Sequence, residues 1–529
     1  YTANWGTHEL VQQSDYDLRD GATESQFISY GPSAVGKVWY SRSVANYYDL
    51  DKVTVLTSYA GYDSLLKQGT YSASTVKDQI DYVTENLGYD VIGGINGTSF
   101  NTANGAPNMG LMINGVEYCP GNYFTDGFFG ILKHEETGHQ KAVIGRAGEY
   151  AGFRDGTTTS RVENGVTVDY TGYKLWQAIG AWYDAILIED GQICGPETWN
   201  EEHPRTAIGI TADGDVVTYV VEGRNGNRAG GMSLYNMATV MKELGCVYAV
   251  NLDGGGSSTA LSKHAGETFY RNGIQGAYGA DRSVGDAILF VSTESMSDEG
   301  TEEPDTKFAK AHILPNNDLF VVGTTIEFEA TGSNAYGDPV ALPEGLVWEL
   351  DETKSTANIG TIDPETGVFT ASGSISGNVY VNLKDGETIV GSTKVDLAWP
   401  DWSYSEAFST NFTMGLGETK ELPFTLYPGS NEGNKALGIS TWRPMIVQEN
   451  DLEWNVPNGC SMKVNEEGTF YLQAGQVPVI DGKVSIKQVK ATGQTNVMTK
   501  VATVSIGKAP TLLYDFEDNE WLNQWAAGG

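Results

Sequence analysis

Basic residues are the first shortage: 33 Lys and Arg against 68 Asp and Glu leave a formal net charge of −35 over 529 residues. A field of that sign repels phosphate backbones and anionic lipid surfaces, which argues against nucleic-acid partners and polybasic membrane attachment. Cysteine is scarce as well. The four present, at 119, 194, 246 and 460, fit neither a disulfide-dense scaffold nor a paired CxxC metal site. No run of 18 or more apolar residues occurs, so membrane insertion through an apolar helix is not expected. Two further signatures are missing: the GK[ST] that would complete a P-loop, and a GxSxG nucleophile elbow. Nucleoside triphosphate binding and acyl transfer therefore have no support. The chain opens at Tyr1 without a charged-then-apolar leader, and the expectation is a secreted or cell-surface protein whose signal peptide has been removed.

What is abundant points to packed β structure. Aromatics make up 11%, including 12 Trp and 28 Tyr, enough apolar surface for several cores, and 65 glycines supply many tight turns. At roughly 100–200 residues per domain the length suggests three or four domains. The sharpest break in composition is the acidic stretch 294–306, ESMSDEGTEEPDT, which reads as a solvated linker. A mixed α/β (α+β) catalytic domain is expected over 1–293. Two all-β immunoglobulin-like sandwiches are expected over 307–399 and 400–508, and a further β domain begins at 509–529. The sandwich expectation rests on a repeat: Gly323-Thr324-Thr325 matches Gly417-Glu418-Thr419, Trp348 matches Trp454, and Gly367-Val368-Phe369 matches Gly468-Thr469-Phe470. Such offsets, roughly 100 residues, equal one sandwich.

Within the first domain one pattern occurs twice. Ser74 is placed to cap a helix carrying Val76, Ile80, Val83 and Leu87, stopped by Gly88 and followed by a strand ending at Asn96-Gly97. Ser233 likewise caps Leu234, Met237, Ala238, Met241 and Leu244, with Gly245 as the stop, and the next strand ends in Asn251-Leu252-Asp253-Gly254-Gly255-Gly256. In open α/β sheets ligands gather at the carboxyl ends of strands, so these two endings are expected to share a site.

Two constellations carry chemistry. In RTAIGITADGDVVTYVVEGR, Arg205 to Arg224, the Asp213-Gly214 pair signals a hairpin. A two-residue loop there sets Arg205 opposite Glu222, with small side chains beside them that leave room for a ligand; the plainer alternative is a cross-strand ion pair on a sheet surface. In NLDGGGSST, Asn251 to Thr259, three glycines let a backbone approach a ligand closely and can form an anion-binding nest behind Asp253.

The ordered set HPRTAIG (203–209), VEGR (221–224), GMSLYNMATVMKELGC (231–246), NLDGGGSST and RSVGDAILF (282–290) resembles the phosphodiester glycosidase family from about residue 90 to 293. The resemblance implies hydrolysis of sugar-1-phosphodiester bonds of the GlcNAc-1-phosphodiester kind, releasing the sugar and leaving a phosphomonoester. It implies Asp253 and Glu222 as catalytic carboxylates. It also implies a substrate- and phosphate-binding set of Arg205, Thr206, Asn96, Gly97, Gly223, Arg224, Asn251, Gly254, Gly255, Gly256, Ser257 and Arg282. Glu222 stands where the family usually has Asp, one methylene longer in reach. The expected partner is a phosphorylated glycan or polysaccharide, with the Ig-like modules as candidates for contact with a cell surface or carbohydrate. No cofactor is expected; a divalent cation near Asp253 is the open alternative, although no ligand set with metal spacing is visible. A glycan-binding surface protein without turnover and a phosphodiesterase that breaks the P–O bond are the alternatives.

Two histidine motifs are weighed against this reading. His134-Glu135-Glu136-Thr137-Gly138-His139 imitates a zincin, but its histidines are five apart and Gly138 interrupts any helix presenting them. His203, before Pro204 at a strand entry, is a candidate donor to phosphate or a structural residue.

Overall fold

The computed structural model describes residues 2–3, 6–32, 38–59, 71–119, 126–181, 186–195, 201–224, 230–274, 281–293, 306–373, 375–406, 411–422, 425–428, 434, 445–448, 451–464, 470–489 and 502–507. The chain is mostly β, so the mixed character expected of the first domain is met only in part. The acidic stretch, apart from Thr306, and the segment 509–529 lie outside the described residues. The chain divides into two compact units, one comprising 1–312 with 331–343 and the other 313–330 with 344–529.

Three large sheets build the first unit. An eight-stranded sheet runs in the order Gln192–Ile193, Ile186–Glu189, Cys246–Asn251, Arg205–Thr211, Val216–Val221, Val38–Tyr48, Ala22–Pro32, Glu9–Arg19. A five-stranded sheet carries Val91–Asn96 between Ala260–Ser262 and Asp286–Ser292. Another centres on Gly127–His134 and Tyr173–Gly180. One apolar core draws on all three, joining Val44, Ile208 and Val250 to Ile92, Ile95 and Phe290 and to Leu111, Phe129 and Ile179. Tyr48 and Phe290 stack at 3.7 Å within it.

Helices cover the outer faces. Val76–Leu87 lays Val76, Ile80 and Val83 on the sheet residues Leu56, Val91 and Leu289, and Gly88 ends it in the left-handed conformation at φ 73°. Its cap is Thr75, one residue later than expected, because Ser74 is held in a β-bridge to Val284. Leu234–Glu243 is capped by Ser233, whose hydroxyl accepts from the Asn236 N–H, and packs Met237 and Met241 on Ala207, Tyr219 and Ala249. No helix among the described residues is long and apolar enough to cross a membrane.

The second unit repeats an arrangement. The strands Leu319–Val321, Thr388–Ala398, Gly377–Asp385 and Val347–Leu350 form a four-stranded sheet in that order, and Asn411–Gly415, Ala502–Gly507, Val479–Val489 and Leu452–Asn455 form another in the same order. Each begins with a parallel pair. Each has a three-stranded companion, centred on Val368–Ala371 in one case and Phe470–Gln473 in the other. Trp348 and Trp454 occupy corresponding strands.

Candidate active site

The two strand endings meet, though not for the reason that parallel strands would give. The pairings of Val91–Asn96 and of Cys246–Asn251 with their neighbours are antiparallel, and the two strands belong to different sheets. What joins their ends is Asn96, fully buried. Its Oδ1 accepts from Thr206 Oγ1 at 2.7 Å and from the Thr259 N–H at 3.1 Å, and its Nδ2 donates to the Asp253 carbonyl at 2.7 Å. The Asp253 N–H donates in turn to the Gly97 carbonyl at 3.0 Å. One amide side chain thereby ties three distant segments into the floor of a cleft.

Lining that cleft are His203, Arg205, Arg224, Asn251, Leu252, Asp253, Gly254, Gly255, Gly256 and Arg282. Of the predicted residues, Arg205, Arg224, Asn251, Asp253, the three glycines and Arg282 are thus brought together. Asn96, Gly97, Thr206, Gly223 and Ser257 are not among the lining; they are buried beneath or beside it and form its frame. Gly223 allows a close crossing, since a Cβ there would lie 2.7 Å from the Gly230 carbonyl oxygen. Arg224 follows it in the left-handed region at φ 55°.

The hairpin register corrects the predicted pair. The loop spans three residues, 212–214: the Thr211 N–H donates to the Asp215 carbonyl at 2.9 Å, the Gly214 N–H to the Thr211 carbonyl at 3.1 Å, and Gly214 has φ 97°. A left-handed glycine closing a three-residue loop is the next commonest hairpin after the two-residue type. The extra residue sets Arg205 opposite Val221, and a one-residue shift exchanges the faces of every side chain. Glu222 therefore does not meet Arg205. Its carboxylate instead accepts from the Arg42 backbone N–H at 2.9 Å and from the Arg42 guanidinium at 3.1 and 3.2 Å, outside the cleft lining.

The glycine loop also works differently from the expected nest. The Gly254 N–H is taken by Asp253 Oδ1 at 3.0 Å, the Gly255 N–H by the Pro204 carbonyl at 2.9 Å and the Ser257 N–H by the Gly254 carbonyl at 3.3 Å. The missing side chains matter more. A Cβ on Gly255 would sit 2.8 Å from an Arg224 guanidinium nitrogen, and one on Gly256 would sit 3.3 Å from Arg282. The two glycines leave room for both guanidinium groups against this backbone, and Gly255 also takes a left-handed φ of 63°.

Three guanidinium groups accordingly share the cleft with one carboxyl group, Asp253, and Arg224 and Arg282 are the two that act on it. Arg205 donates to the Met232 carbonyl at 3.2 Å and the Glu201 carbonyl at 2.9 Å. Arg224 donates to His203 Nδ1 at 3.2 Å, and Arg282 to Ser257 Oγ at 3.4 Å while lying 5.3 Å over the Phe100 ring. Among the described residues none of the three is in an ion pair with a carboxylate. Burial and the neighbouring Arg224 push Arg205 down to about 10, the mark of a cation short of counter-charge. Burial and the same two arginines lower His203, and accepting from Arg224 makes its Nδ1 the unprotonated ring nitrogen. Burial pushes the Asp253 carboxyl up from its usual value, against the lowering pull of Ser257, the Gly254 N–H, Arg282 and Arg224.

Two acidic groups were not singled out from sequence. Burial pushes Glu202, next to His203, up to about 7, and its Oε2 has no partner among the described residues. Asp286, fully buried at the start of Asp286–Ser292, accepts the Thr98 N–H at 2.6 Å. The only hint of either in the sequence is position: Glu202 precedes HPRTAIG and Asp286 lies inside RSVGDAILF. The zincin-like segment is a hairpin turn in which the N–H groups of Glu136 and Thr137 donate to His134 Nδ1. Among the described residues no group of three or more His, Cys, Asp or Glu is placed to hold a metal ion.

A family model described as phosphodiester glycosidase matches residues 89–291, the stretch that contains every cleft residue. This region matches the phosphodiester glycosidase family. A prophage-derived uncharacterized protein of Bacillus subtilis, YomE, is 36% identical over 130 residues, covering 24% of this chain and 18% of that protein; the chain thus spans under a fifth of that relative's length. Among solved structures, the catalytic domain of zebrafish N-acetylglucosamine-1-phosphodiester alpha-N-acetylglucosaminidase, auto-inhibited by its pro-peptide, is similar at 18% identity and a TM-score of 0.36, over 54% of this chain and 87% of that one. A hypothetical protein from Synechocystis gives 12% identity and a TM-score of 0.32, over 55% and 79%.

Proposed function

We propose that the glycosidase domain hydrolyses sugar-1-phosphodiester bonds, of the GlcNAc-1-phosphodiester kind, at the cleft around Asp253. The observation that carries this reading is the gathering, in one cleft with the half-buried Asp253, of three guanidinium groups that have no carboxylate ion-pair partner among the described residues. On a protein of net charge −35, such a cluster is a local site for an anion. A phosphodiester supplies that anion and the bond to be broken. Cleavage of the sugar C–O bond releases a phosphate monoester that needs little protonation, so guanidinium groups can hold the departing charge in place of a strong general acid. Positive charge developing at the anomeric carbon requires a carboxylate nearby, and Asp253 supplies it. Arg205, Arg224 and Arg282 grip the phosphate, with Gly254 to Gly256 keeping side chains out of the way.

The surrounding organisation belongs to the same proposal. We take the catalytic part as an α+β domain over 1–293. We take the repeated four-plus-three strand arrangement as two Ig-like modules over 307–399 and 400–508, holding the enzyme at a cell surface or on a glycan. The protein is then secreted, with a phosphorylated glycan as substrate. The deciding experiment incubates the full chain with a synthetic GlcNAc-1-phosphodiester and identifies the products. Free sugar is expected. Sugar-1-phosphate would replace this reading by P–O cleavage, and binding without turnover would make the protein a lectin.

A further inference from the structure

Asp286 is the most deeply enclosed carboxyl group beside the cleft. It is fully buried, and its Oδ1 accepts the Thr98 N–H at 2.6 Å while its Oδ2 meets no donor among the described residues. The groups facing it come from three segments. On the neighbouring strand Val53–Tyr59 its register partner is Tyr59, whose hydroxyl donates to the Gly105 carbonyl at 3.3 Å. At the end of Val91–Asn96, Gly97 packs so close that any Cβ there would collide with Oδ1. From the loop after Cys246–Asn251 comes Asp253, a like charge. Among the described residues no Lys, Arg or His pairs with Asp286; Arg282, on its own segment, turns to Ser257 and Phe100.

A carboxylate in such a place, with one N–H donor, no cation and a second acid next to it, is strongly disfavoured. Yet the residue is tied into the site. The Gly97 N–H donates to the Asp286 carbonyl, and the Asp253 N–H to the Gly97 carbonyl, each at 3.0 Å. We propose that Asp286 is held as a neutral carboxylic acid and acts as a positioning residue: it fixes the Gly97-Thr98 turn on which Asp253 rests without adding a second negative charge to the cleft. This rests on the reading of Asp253 as the working carboxylate, and leaves the pull of Arg224 and Arg282 to Asp253 alone. Burial and the charge of Asp253 raise the Asp286 pKa well above the carboxylate range, consistent with the geometry.

The test compares Asp286→Asn, Asp286→Ala and the unmodified full chain. For the linkage sign, a group whose folded pKa lies above its unfolded value stabilises fully below the unfolded pKa, and that contribution is lost as pH rises toward the folded pKa. Urea denaturation from pH 4 upward should therefore show the unmodified chain losing folding equilibrium constant relative to Asp286→Asn by about tenfold per pH unit, until the folded pKa is reached. This arm needs no turnover, so it decides the protonation state even if the substrate reading fails. In kinetics, Asp286→Ala should lose roughly 100-fold in kcat for the phosphodiester, and Asp286→Asn should restore most of it. A pH-independent stability difference, an Asn variant that fails to fold, or an Asn variant as inactive as the Ala variant would each overturn the proposal, because a neutral acid has a folded pKa above its unfolded value and tolerates an uncharged side chain of the same shape.

Discussion

The two units treat buried polar atoms in opposite ways. Among the described residues of the second unit they are matched: Asn378 donates to Asp396, Ser392 to Asn382 at 2.8 Å, and Thr393 to the Pro315 carbonyl at 2.9 Å. In the first, Thr98 Oγ1, Ser258 Oγ, Thr259 Oγ1 and Asp286 Oδ2 are buried without a partner among the described residues, all beside the joined ends of the same two strands. Orphaned polar groups cost stability and are few in folded proteins. Arg19, Gln79 and Gln140 add orphaned atoms elsewhere in the first unit, so the contrast between the units is broader than the cleft, and the group at the joined strand ends is the part that bears on the proposed site.

The severest test of that contrast is Asp253→Asn, which keeps volume and removes the charge. Turnover should fall roughly 10³-fold or more, with an unchanged circular dichroism spectrum. Near-normal kcat would take Asp253 out of the chemistry. Next, Phe369→Ala empties a fully buried position of the second unit and should cost about 3–5 kcal/mol of that unit's stability. At temperatures where both units remain folded kcat/KM should not change, and a parallel loss of activity would erase the division of labour.

Arg205→Lys probes the cleft more finely. Lysine keeps a charge but not the planar fork that holds the Met232 and Glu201 carbonyls while facing an anion. The expected loss is roughly 2–4 kcal/mol of transition-state stabilisation, seen in kcat/KM for phosphodiesters and much less for a neutral-aglycone glycoside. Unchanged kinetics would leave Arg205 as a tether of the 201–205 segment and nothing more.

Local signals in the sequence carried far, and contacts between remote segments carried the rest. The apolar stripes, Ser233 and Gly88 each mark a helix that forms, because caps and periodicity act within a few residues. The Asp213-Gly214 turn was legible, but its loop length was not. A three-residue loop differs from a two-residue one only in how the flanking strands fit their neighbours, here Val38–Tyr48 and Cys246–Asn251. Asn96 showed itself as a strand end, while its role as a tie among Thr206, Asp253 and Thr259 depends on three contacts more than 100 positions away. Asp286 reads in sequence as the polar start of an apolar strand; only the arrival of Gly97, Thr98 and Asp253 makes it a buried acid.

Glu222→Gln gives the smallest expected effect and bears most directly on which carboxyl group works. The Arg42 guanidinium that Glu222 holds is more than half exposed, so solvent screens the ion pair and its loss should cost about 0–1 kcal/mol. The glutamine oxygen can still accept the Arg42 backbone N–H, keeping the edge where Val216–Val221 meets Val38–Tyr48. Steady-state kinetics should then stay within about twofold of the unmodified protein. A loss of turnover as large as that of Asp253→Asn would mean that the Arg42 pair opens during the reaction and that two carboxylates share the chemistry. The corrected hairpin register argues for the first outcome, since Arg205, whose guanidinium lines the cleft, faces Val221 across the ladder, and Glu222 lies beyond it with its carboxylate already filled.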